Sequence, residues 1–185
     1  IHQDAKKEHI IDIVINSKVQ RPGVCNALET LLIDSEIYED MGSSIIEELL
    51  ENKVELFVDE KIKKDFPNLN LANESHYETE FLDLKLAVKV VDSVDQAIEH
   101  IKVYSSGHTE AILTESKEVA DIFAKSIDSS VIFINSSTRF TDGEMFGFGS
   151  EIGISTQKLH VRGPMGLEAL TNERYVVTGE GTVRG

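Results

Sequence analysis

The chain has 185 residues, a length that is typical of one domain. Its net charge of −15 comes from 33 acidic and 18 basic side chains, so it lacks the basic surface that binds nucleic-acid phosphates or anionic membranes. No apolar run approaches the length of about 18 residues that a membrane span needs. The single cysteine cannot form an internal disulfide, which indicates a reducing compartment and predicts a cytoplasmic location.

The predicted elements alternate between helices and strands. Helices are predicted after Asp4, Ser35, Lys61, Ser93 and Ser116, with a short one near Leu167. Strands are predicted at 30–33, 54–58, 84–91, 111–114, 131–135 and 175–177. This alternation predicts an α/β fold of crossover units around a largely parallel sheet. In such folds the ligand site lies at the carboxyl ends of the strands and in the loops that follow them.

Charge and glycine are unevenly distributed along the chain. Between Leu28 and His100 there are 19 acidic and six basic residues, whereas the rest of the chain is nearly neutral and holds all five arginines. Nine of the 12 glycines lie between Gly143 and Gly185. We interpret the acidic stretch as solvated helix faces, and the glycine-rich stretch as a segment in which the backbone turns sharply.

The lone cysteine lies in a predicted loop, Gln20–Asn26, in which Pro22 and Gly23 interrupt the helical pattern. Arg21 is four residues from Cys25 and favours the thiolate, which is the nucleophilic form. Backbone N–H groups of the loop can face a developing oxyanion. A cysteine is also often an inert hydrophobic residue, and the residues leave both interpretations open. Zinc is not expected, because there is no second cysteine and no histidine pair at ligand spacing.

Four segments carry a family resemblance. Residues 16–27 read NSKVQRPGVCNA, residues 135–143 read NSSTRFTDG, residues 146–160 read FGFGSEIGISTQKLH, and residues 162–168 read RGPMGLE. The first resembles the catalytic cysteine loop of gamma-glutamyl phosphate reductase, also called glutamate-5-semialdehyde dehydrogenase. The other three resemble that family's C-terminal signature and are more specific. The resemblance covers essentially the whole chain and implies an aldehyde dehydrogenase-like catalytic domain, with three α/β/α layers and a mainly parallel sheet.

The resemblance also implies a reaction. Members of this family reduce L-glutamyl 5-phosphate with NADPH to L-glutamate 5-semialdehyde and phosphate, the second step of proline synthesis from glutamate. By its match, Cys25 is the nucleophile whose thiolate displaces phosphate and forms a thioester. A hydride then gives a thiohemiacetal, which collapses to the aldehyde. A thiolate suits both ends of this sequence, because it is a good nucleophile and a good leaving group.

Further site residues are expected from their chemistry and their place in the matching segments. The substrate carries a phosphate and a carboxylate, which arginine binds through paired hydrogen bonds. The expected substrate-binding residues are Arg21, Asn135, Ser136, Ser137 and Arg139. A surface or structural ion pair is the alternative role for Arg139. Arg162 also lies in a matching segment, and its alternative role is structural, in the turn at Gly163 and Pro164.

Glu80 is the expected cofactor contact. Glu80 and Phe81 resemble, more weakly, the segment with which the aldehyde dehydrogenase superfamily contacts the cofactor ribose, although the usual Gly-Pro is missing here. An exposed acidic residue is the alternative. Gly147, Gly149 and Gly153 do not have the spacing of a dinucleotide fingerprint, so they are expected to shape tight turns.

We expect residues 1–170 to form the catalytic domain. Residues 171–185 are expected to form a C-terminal strand that pairs with a second subunit of a homo-oligomer or returns to a cofactor domain. Family members carry a dinucleotide-binding half before the cysteine loop, whereas this chain begins 24 residues before Cys25 and has no initiating Met. We therefore expect a partial chain that does not turn over alone.

Two other functions remain open from the sequence. An inert domain used for assembly would keep the fold without an activated cysteine. Another acylating aldehyde dehydrogenase would use the same cysteine chemistry, although segments 135–140 and 146–160 argue against it. The reactivity of the Cys25 thiol across pH is expected to separate an enzyme from an inert domain.

Overall fold

The computed structural model describes residues 1–185, which form six α-helices and eight β-strands. The helices are α1 (Lys7–Val19), α2 (Ser35–Glu51), α3 (Glu60–Asp65), α4 (Glu74–Glu78), α5 (Val94–Tyr104) and α6 (Lys117–Ser126). The strands are β1 (Thr30–Asp34), β2 (Glu55–Val58), β3 (Asn70–Leu71), β4 (Lys85–Val91), β5 (Thr109–Ile112), β6 (Val131–Ile134), β7 (Gly153–Ser155) and β8 (Gly163–Met165). Two short 3-10 helices lie at Thr138–Phe140 and Leu167–Leu170. The predicted mixed α/β architecture is confirmed.

The strands form three sheets. The largest has the order β1-β4-β2-β3, with every pair parallel. Strands β5 and β6 form a second parallel pair, and β7 and β8 form an antiparallel pair. The mainly parallel arrangement agrees with the sequence prediction, since β1 and β4 are the continuous apolar runs typical of strands that are buried on both faces.

The hydrophobic core is divided in the same way as the sheets. A large cluster of 17 buried side chains joins α1, α2 and α3 to β1, β2 and β4. A smaller cluster of four joins α5 and α6 to β5. The core therefore consists of two bodies of packed helices and strands, one that contains β1 and one that contains β5. No helix is both long and apolar enough to cross a membrane.

Two predicted helix caps are wrong. Helix α1 begins at Lys7 and has no side-chain cap, because Asp4 lies in the preceding turn. Helix α2 is capped by Asp34, whose carboxylate accepts a hydrogen bond from the backbone N–H of Glu36, and not by Ser35. An aspartate at the end of a strand is an equally good cap, so the pattern alone leaves the position uncertain by one residue.

Other elements differ from the prediction mainly at their ends. The caps at Ser93 and Ser116 are confirmed. The strand predicted at 111–114 lies at Thr109–Ile112, while β3 and α4 are too short to show a period and were not predicted. Residues 175–177 form no strand in the single chain, contrary to the prediction. Their pairing with a second subunit stays a prediction.

Candidate active site

Cys25 lies in the loop between α1 and β1, and its side chain is exposed. The backbone N–H of Ala27 donates to the carbonyl of Val24 at 3.0 Å, which closes a turn around the cysteine. The N–H of Leu28 donates to the carbonyl of Ser17 at 2.9 Å and returns the loop to the end of α1. The loop therefore holds the thiol at the surface on a fixed backbone.

Asn26, the residue next to the cysteine, anchors this loop. It is buried, and its amide Nδ2 donates to the carbonyl of Thr141 at 2.8 Å. Its own carbonyl accepts from Thr138 Oγ1 at 2.7 Å. The side-chain amide and the backbone carbonyl of Asn26 are thus both hydrogen-bonded in a buried position, which favours a single geometry. Asn26 therefore ties Cys25 to the turn at 137–141. Asn26 was not among the predicted site residues, because its role depends on hydrogen bonds to residues that are distant in sequence.

Two arginines lie near Cys25, Arg21 within the loop and Arg139 beside it. Arg139 donates from Nε to Gln20 Oε1 at 2.8 Å, and its Nη1 contacts Asn26 Oδ1. Arg21 is close enough that, after burial, its positive charge lowers the pKa of Arg139. The structure thus brings both predicted arginines together, and Arg139 also holds the cysteine loop in place.

A buried ion pair closes the loop at its base. Lys18 is fully buried and lies 2.8 Å from Glu29 Oε2, and burial lowers the pKa of Lys18 while it raises that of Glu29. Glu29 Oε1 also accepts a hydrogen bond from the backbone N–H of Leu82 at 3.2 Å. The pair therefore fixes the segment that carries Glu80 against the cysteine loop. Lys18 follows Val14 by four residues, so both side chains lie on the buried side of α1.

The charges around Cys25 oppose its ionisation. Although the side chain is exposed, nearby protein atoms displace part of its solvent, and this desolvation is the largest cause that raises the pKa of the thiol. The negative charges of Glu151 and Glu80 raise the pKa further, whereas Arg139 lowers it. Arg21 was expected to favour the thiolate, but in this structure Arg139 is the cation whose charge lowers the pKa of the Cys25 thiol.

A cavity of about 360 Å³ adjoins the cysteine. Cys25, Glu80, Ser136 and His108 are among the residues that line it. His108 is buried, its Nδ1 lies 2.7 Å from Thr109 Oγ1, and its Nε2 has no hydrogen-bond partner. Burial lowers the pKa of His108, so the ring is neutral near pH 7. The predicted residues Glu80 and Ser136 thus share one cavity with the thiol.

Two other predicted residues, Asn135 and Ser137, hydrogen-bond to neighbouring parts of the chain. The side-chain amide of Asn135 accepts at Oδ1 from the N–H of Thr114 and donates from Nδ2 to the Thr114 carbonyl, at 2.8 Å each. Ser137 is buried and accepts from Ser17 Oγ at 3.1 Å and from the N–H of Arg139 at 3.2 Å. These side chains hold backbone segments together near the cysteine loop.

Arg162 has the structural role that was weighed against substrate binding. Its Nη1 donates to Asp128 Oδ1 at 2.8 Å and its Nη2 to the Asp128 carbonyl at 2.6 Å. Gly147 and Gly149 have φ values of +81° and +71° in open surroundings, as expected of glycines that shape turns. No group of three or more His, Cys, Asp or Glu side chains is arranged to hold a metal ion.

Comparison with known proteins gives a consistent result. The chain is 50% identical over 184 residues to the gamma-glutamyl phosphate reductase of Thermoanaerobacter pseudethanolicus, and 52% identical over 184 residues to that of Bacillus cereus strain B4264. Each match covers 100% of this chain and 44% of the relative, so the chain spans less than half of the length of these proteins. No protein-family model matches the chain.

Solved structures show the same relationship. The crystal structure of a Thermotoga maritima gamma-glutamyl phosphate reductase matches with a TM-score of 0.93 and 49% identity, over 98% of this chain and 44% of that one. An acetylating aldehyde dehydrogenase from Geobacillus thermoglucosidasius matches over 100% of this chain and 50% of that one, with a TM-score of 0.66 and 16% identity, which shows the fold alone. This chain is therefore homologous over its whole length to gamma-glutamyl phosphate reductases and has the aldehyde dehydrogenase fold.

Proposed function

We propose that this chain is the cysteine-bearing portion of a gamma-glutamyl phosphate reductase. The complete enzyme would convert L-glutamyl 5-phosphate to L-glutamate 5-semialdehyde and phosphate with NADPH, in proline biosynthesis. The observation that carries the proposal is the identity of about 50% to reductases of this name over the whole chain. The exposed Cys25 thiol, in a cavity and beside two arginines, supports it.

The proposed chemistry begins at Cys25. Its thiolate attacks the carbonyl carbon of the acyl phosphate, so a C–S bond forms and the C–O bond to phosphate breaks. Arg21 and Arg139 supply positive charge for the anionic groups of the substrate. When bound, NADPH supplies a hydride to the thioester carbon. The resulting thiohemiacetal anion re-forms its carbonyl, breaks the C–S bond and returns the thiolate of Cys25.

Glu80 is the residue we propose for the cofactor. It is exposed, it lines the cavity next to Cys25, and a carboxylate accepts hydrogen bonds from ribose hydroxyls. Its segment is held by the bond from Leu82 to Glu29. A carboxylate held at this point fits a nucleotide sugar beside the nucleophile.

Substitution of Cys25 in the complete enzyme tests the proposal. The assay follows NADPH formation from glutamate 5-semialdehyde, phosphate and NADP⁺. We expect Cys25→Ser and Cys25→Ala to lower kcat by about a thousandfold or more. Ser43→Ala, an exposed change on α2, serves as the control that keeps full activity.

Three outcomes would contradict the proposal, and two of them would favour another function. Full activity of Cys25→Ala would remove the cysteine mechanism, and a complete protein with no activity and a slow, unactivated thiol would favour an assembly domain. Turnover of a coenzyme A thioester, but not of the acyl phosphate, would indicate another acylating aldehyde dehydrogenase.

We also propose that residues 171–185 pair with a second subunit of a homo-oligomer. The segment exposes Tyr175, Val176 and Val177 at 84%, 76% and 92% of their surface, and β-branched and aromatic residues suit an added strand. Deletion of 171–185 from the complete enzyme should lower its mass in light scattering. An unchanged mass would refute this role.

A further inference from the structure

The proposed substrate carries a positive charge as well as negative ones. Glutamyl phosphate has an ammonium group beside its carboxylate, whereas Arg21 and Arg139 are cations and suit only its anionic groups. An ammonium group that enters a cavity loses water and needs carboxylates or other acceptor atoms in its place. Such acceptors should therefore lie near Cys25, at a point where the arginines do not dominate the charge.

Glu151 is a carboxylate that has no cationic partner. It is exposed, its Oε2 accepts a hydrogen bond from the N–H of Gly143 at 2.9 Å, and no basic side chain forms an ion pair with it. A side chain at position 143 would lie 2.5 Å from the carbonyl oxygen of Ser150 and 2.9 Å from Glu151 Cβ, so this close contact requires glycine. Glu151 is thus held in place while its negative charge stays available to a ligand.

Two acidic side chains act on both Cys25 and His108. The negative charges of Glu151 and Glu80 raise the pKa of the Cys25 thiol. The same two charges raise the pKa of His108, although burial has the larger and opposite effect. No cation is among the charges that act on His108, whereas Arg139 acts on Cys25. This polarity suits a ligand with an anionic group at one end and a cationic group at the other.

His108 presents an unsatisfied nitrogen to the cavity. The residue is only 7% exposed, it lines the cavity, and its Nε2 has no hydrogen-bond partner. On the other side of the ring, Nδ1 lies 2.7 Å from Thr109 Oγ1, which lies 2.8 Å from Thr141 Oγ1. When Nδ1–H donates to Thr109 and that hydroxyl donates to Thr141, Nε2 is left as an acceptor. A buried acceptor without a partner is costly, and an N–H group of a ligand would satisfy it.

A second buried histidine shows that charge separates the two positions. His100 also lines the cavity, and its Nε2 also has no hydrogen-bond partner. The charge that acts on His100 is that of Lys89, which would repel an ammonium group. His108 therefore combines an open acceptor with negative surroundings, and His100 does not.

We propose that Glu151 and His108 bind the ammonium group of the glutamyl substrate beside Cys25, a role that rests on the proposed function. The carboxylate of Glu151 supplies the opposite charge, and Nε2 of His108 accepts a hydrogen bond from the ammonium group. The anionic groups of the substrate then lie toward Arg21 and Arg139, and the acyl carbon lies at the thiol. The two residues select 2-amino substrates over dicarboxylic analogues that lack the amino group.

Discrimination between two aldehydes tests this assignment in the complete enzyme. NADPH formation is followed with glutamate 5-semialdehyde and with 5-oxopentanoate, which has a hydrogen in place of the ammonium group, each with phosphate and NADP⁺. The readout is the ratio of kcat/KM for glutamate 5-semialdehyde to kcat/KM for 5-oxopentanoate. We expect Glu151→Gln and His108→Leu to lower this ratio by about tenfold to a hundredfold. A change in the Cys25 thiol affects both aldehydes alike and cancels in the ratio.

Two further variants serve as controls. Glu144→Gln removes an exposed carboxylate from the same segment, and the charge of Glu144 is not among those that act on Cys25 or His108, so the ratio should not change. His108→Gln keeps an acceptor oxygen near the place of Nε2 and should retain most of the ratio that His108→Leu loses. The two His108 variants therefore separate loss of the acceptor from loss of packing.

Failure of this site and failure of the proposed function give different results. An equal fall in kcat/KM for both aldehydes would give Glu151 and His108 a structural role and overturn the proposal. An unchanged ratio in Glu151→Gln would place the ammonium group elsewhere, and this exposed change decides the matter even where His108→Leu does not fold. A complete enzyme that turns over neither aldehyde would refute the proposed function, and the ammonium site with it.

Discussion

Replacing Lys18 by methionine should destabilise the chain by about 3 kcal/mol, because it leaves Glu29 without its partner. The Lys18 side chain is 0% exposed and that of Glu29 is 19% exposed, with 2.8 Å between the charged atoms. Breaking a buried pair costs about 3–5 kcal/mol. We expect the lower end, since Glu29 keeps some solvent and its bond from Leu82. For a chain of this size the melting temperature should fall by about 6–12 °C.

A matched control separates the effect of burial from the effect of the distance between the two charged atoms. Lys102 and Glu99 are also 2.8 Å apart, but they are 49% and 71% exposed on α5, so Lys102→Met should cost less than about 1 kcal/mol. The double variant Lys18→Met/Glu29→Leu should recover most of the loss, because both charges leave the interior together. Urea unfolding followed by circular dichroism measures all three variants. The reasoning fails if Lys18→Met costs no more than Lys102→Met.

Three further predictions concern reactivity and pH. In the 185-residue chain alone, alkylation of Cys25 across pH should report a thiol pKa above the ordinary value, which Glu151→Gln lowers and Arg139→Gln raises; shifts in the opposite directions would contradict the electrostatic account. Burial lowers the pKa of His100 from 6.5 to about 4. Between pH 6.5 and 4 the unfolded state therefore binds more protons than the folded state. The free energy of unfolding should fall by up to about 3 kcal/mol as the pH drops from 6.5 to 4. His100→Phe should flatten that dependence in urea titrations, and an unchanged slope would assign it to other groups. The 185-residue chain alone should not turn over glutamyl phosphate with NADPH, and steady-state turnover would refute this expectation.

Much of the fold could be predicted from local pattern. The apolar runs at 30–33 and 84–91 correspond to β1 and β4, and the serines before α5 and α6 are the caps that were expected. Strand β3 and helix α4 were missed, since two residues are too few to show the period of a strand and five too few to show that of a helix. The strand predicted at 175–177 shows the opposite limit: a high strand propensity produces no strand without a partner edge.

The candidate site could be predicted only in part. The cysteine and the arginines were identified because their segments resemble a known family, and the structure places Arg21 and Arg139 together beside the cysteine loop. Asn26 and His108 were missed, because their roles depend on hydrogen bonds to residues that are distant in sequence or on burial in a cavity. Those properties have no local signature.

The sequence by itself determined the α/β class, the loop position of Cys25 and the family resemblance, since each depends on residues that are close along the chain. Only the tertiary structure decided which charges act on the thiol. Arg139, Glu151 and Glu80 lie more than 50 residues from Cys25 in the sequence, and the fold brings them near it. Electrostatic and hydrogen-bonding energies depend on distance in space and on burial, and both are set when the helices and sheets pack together.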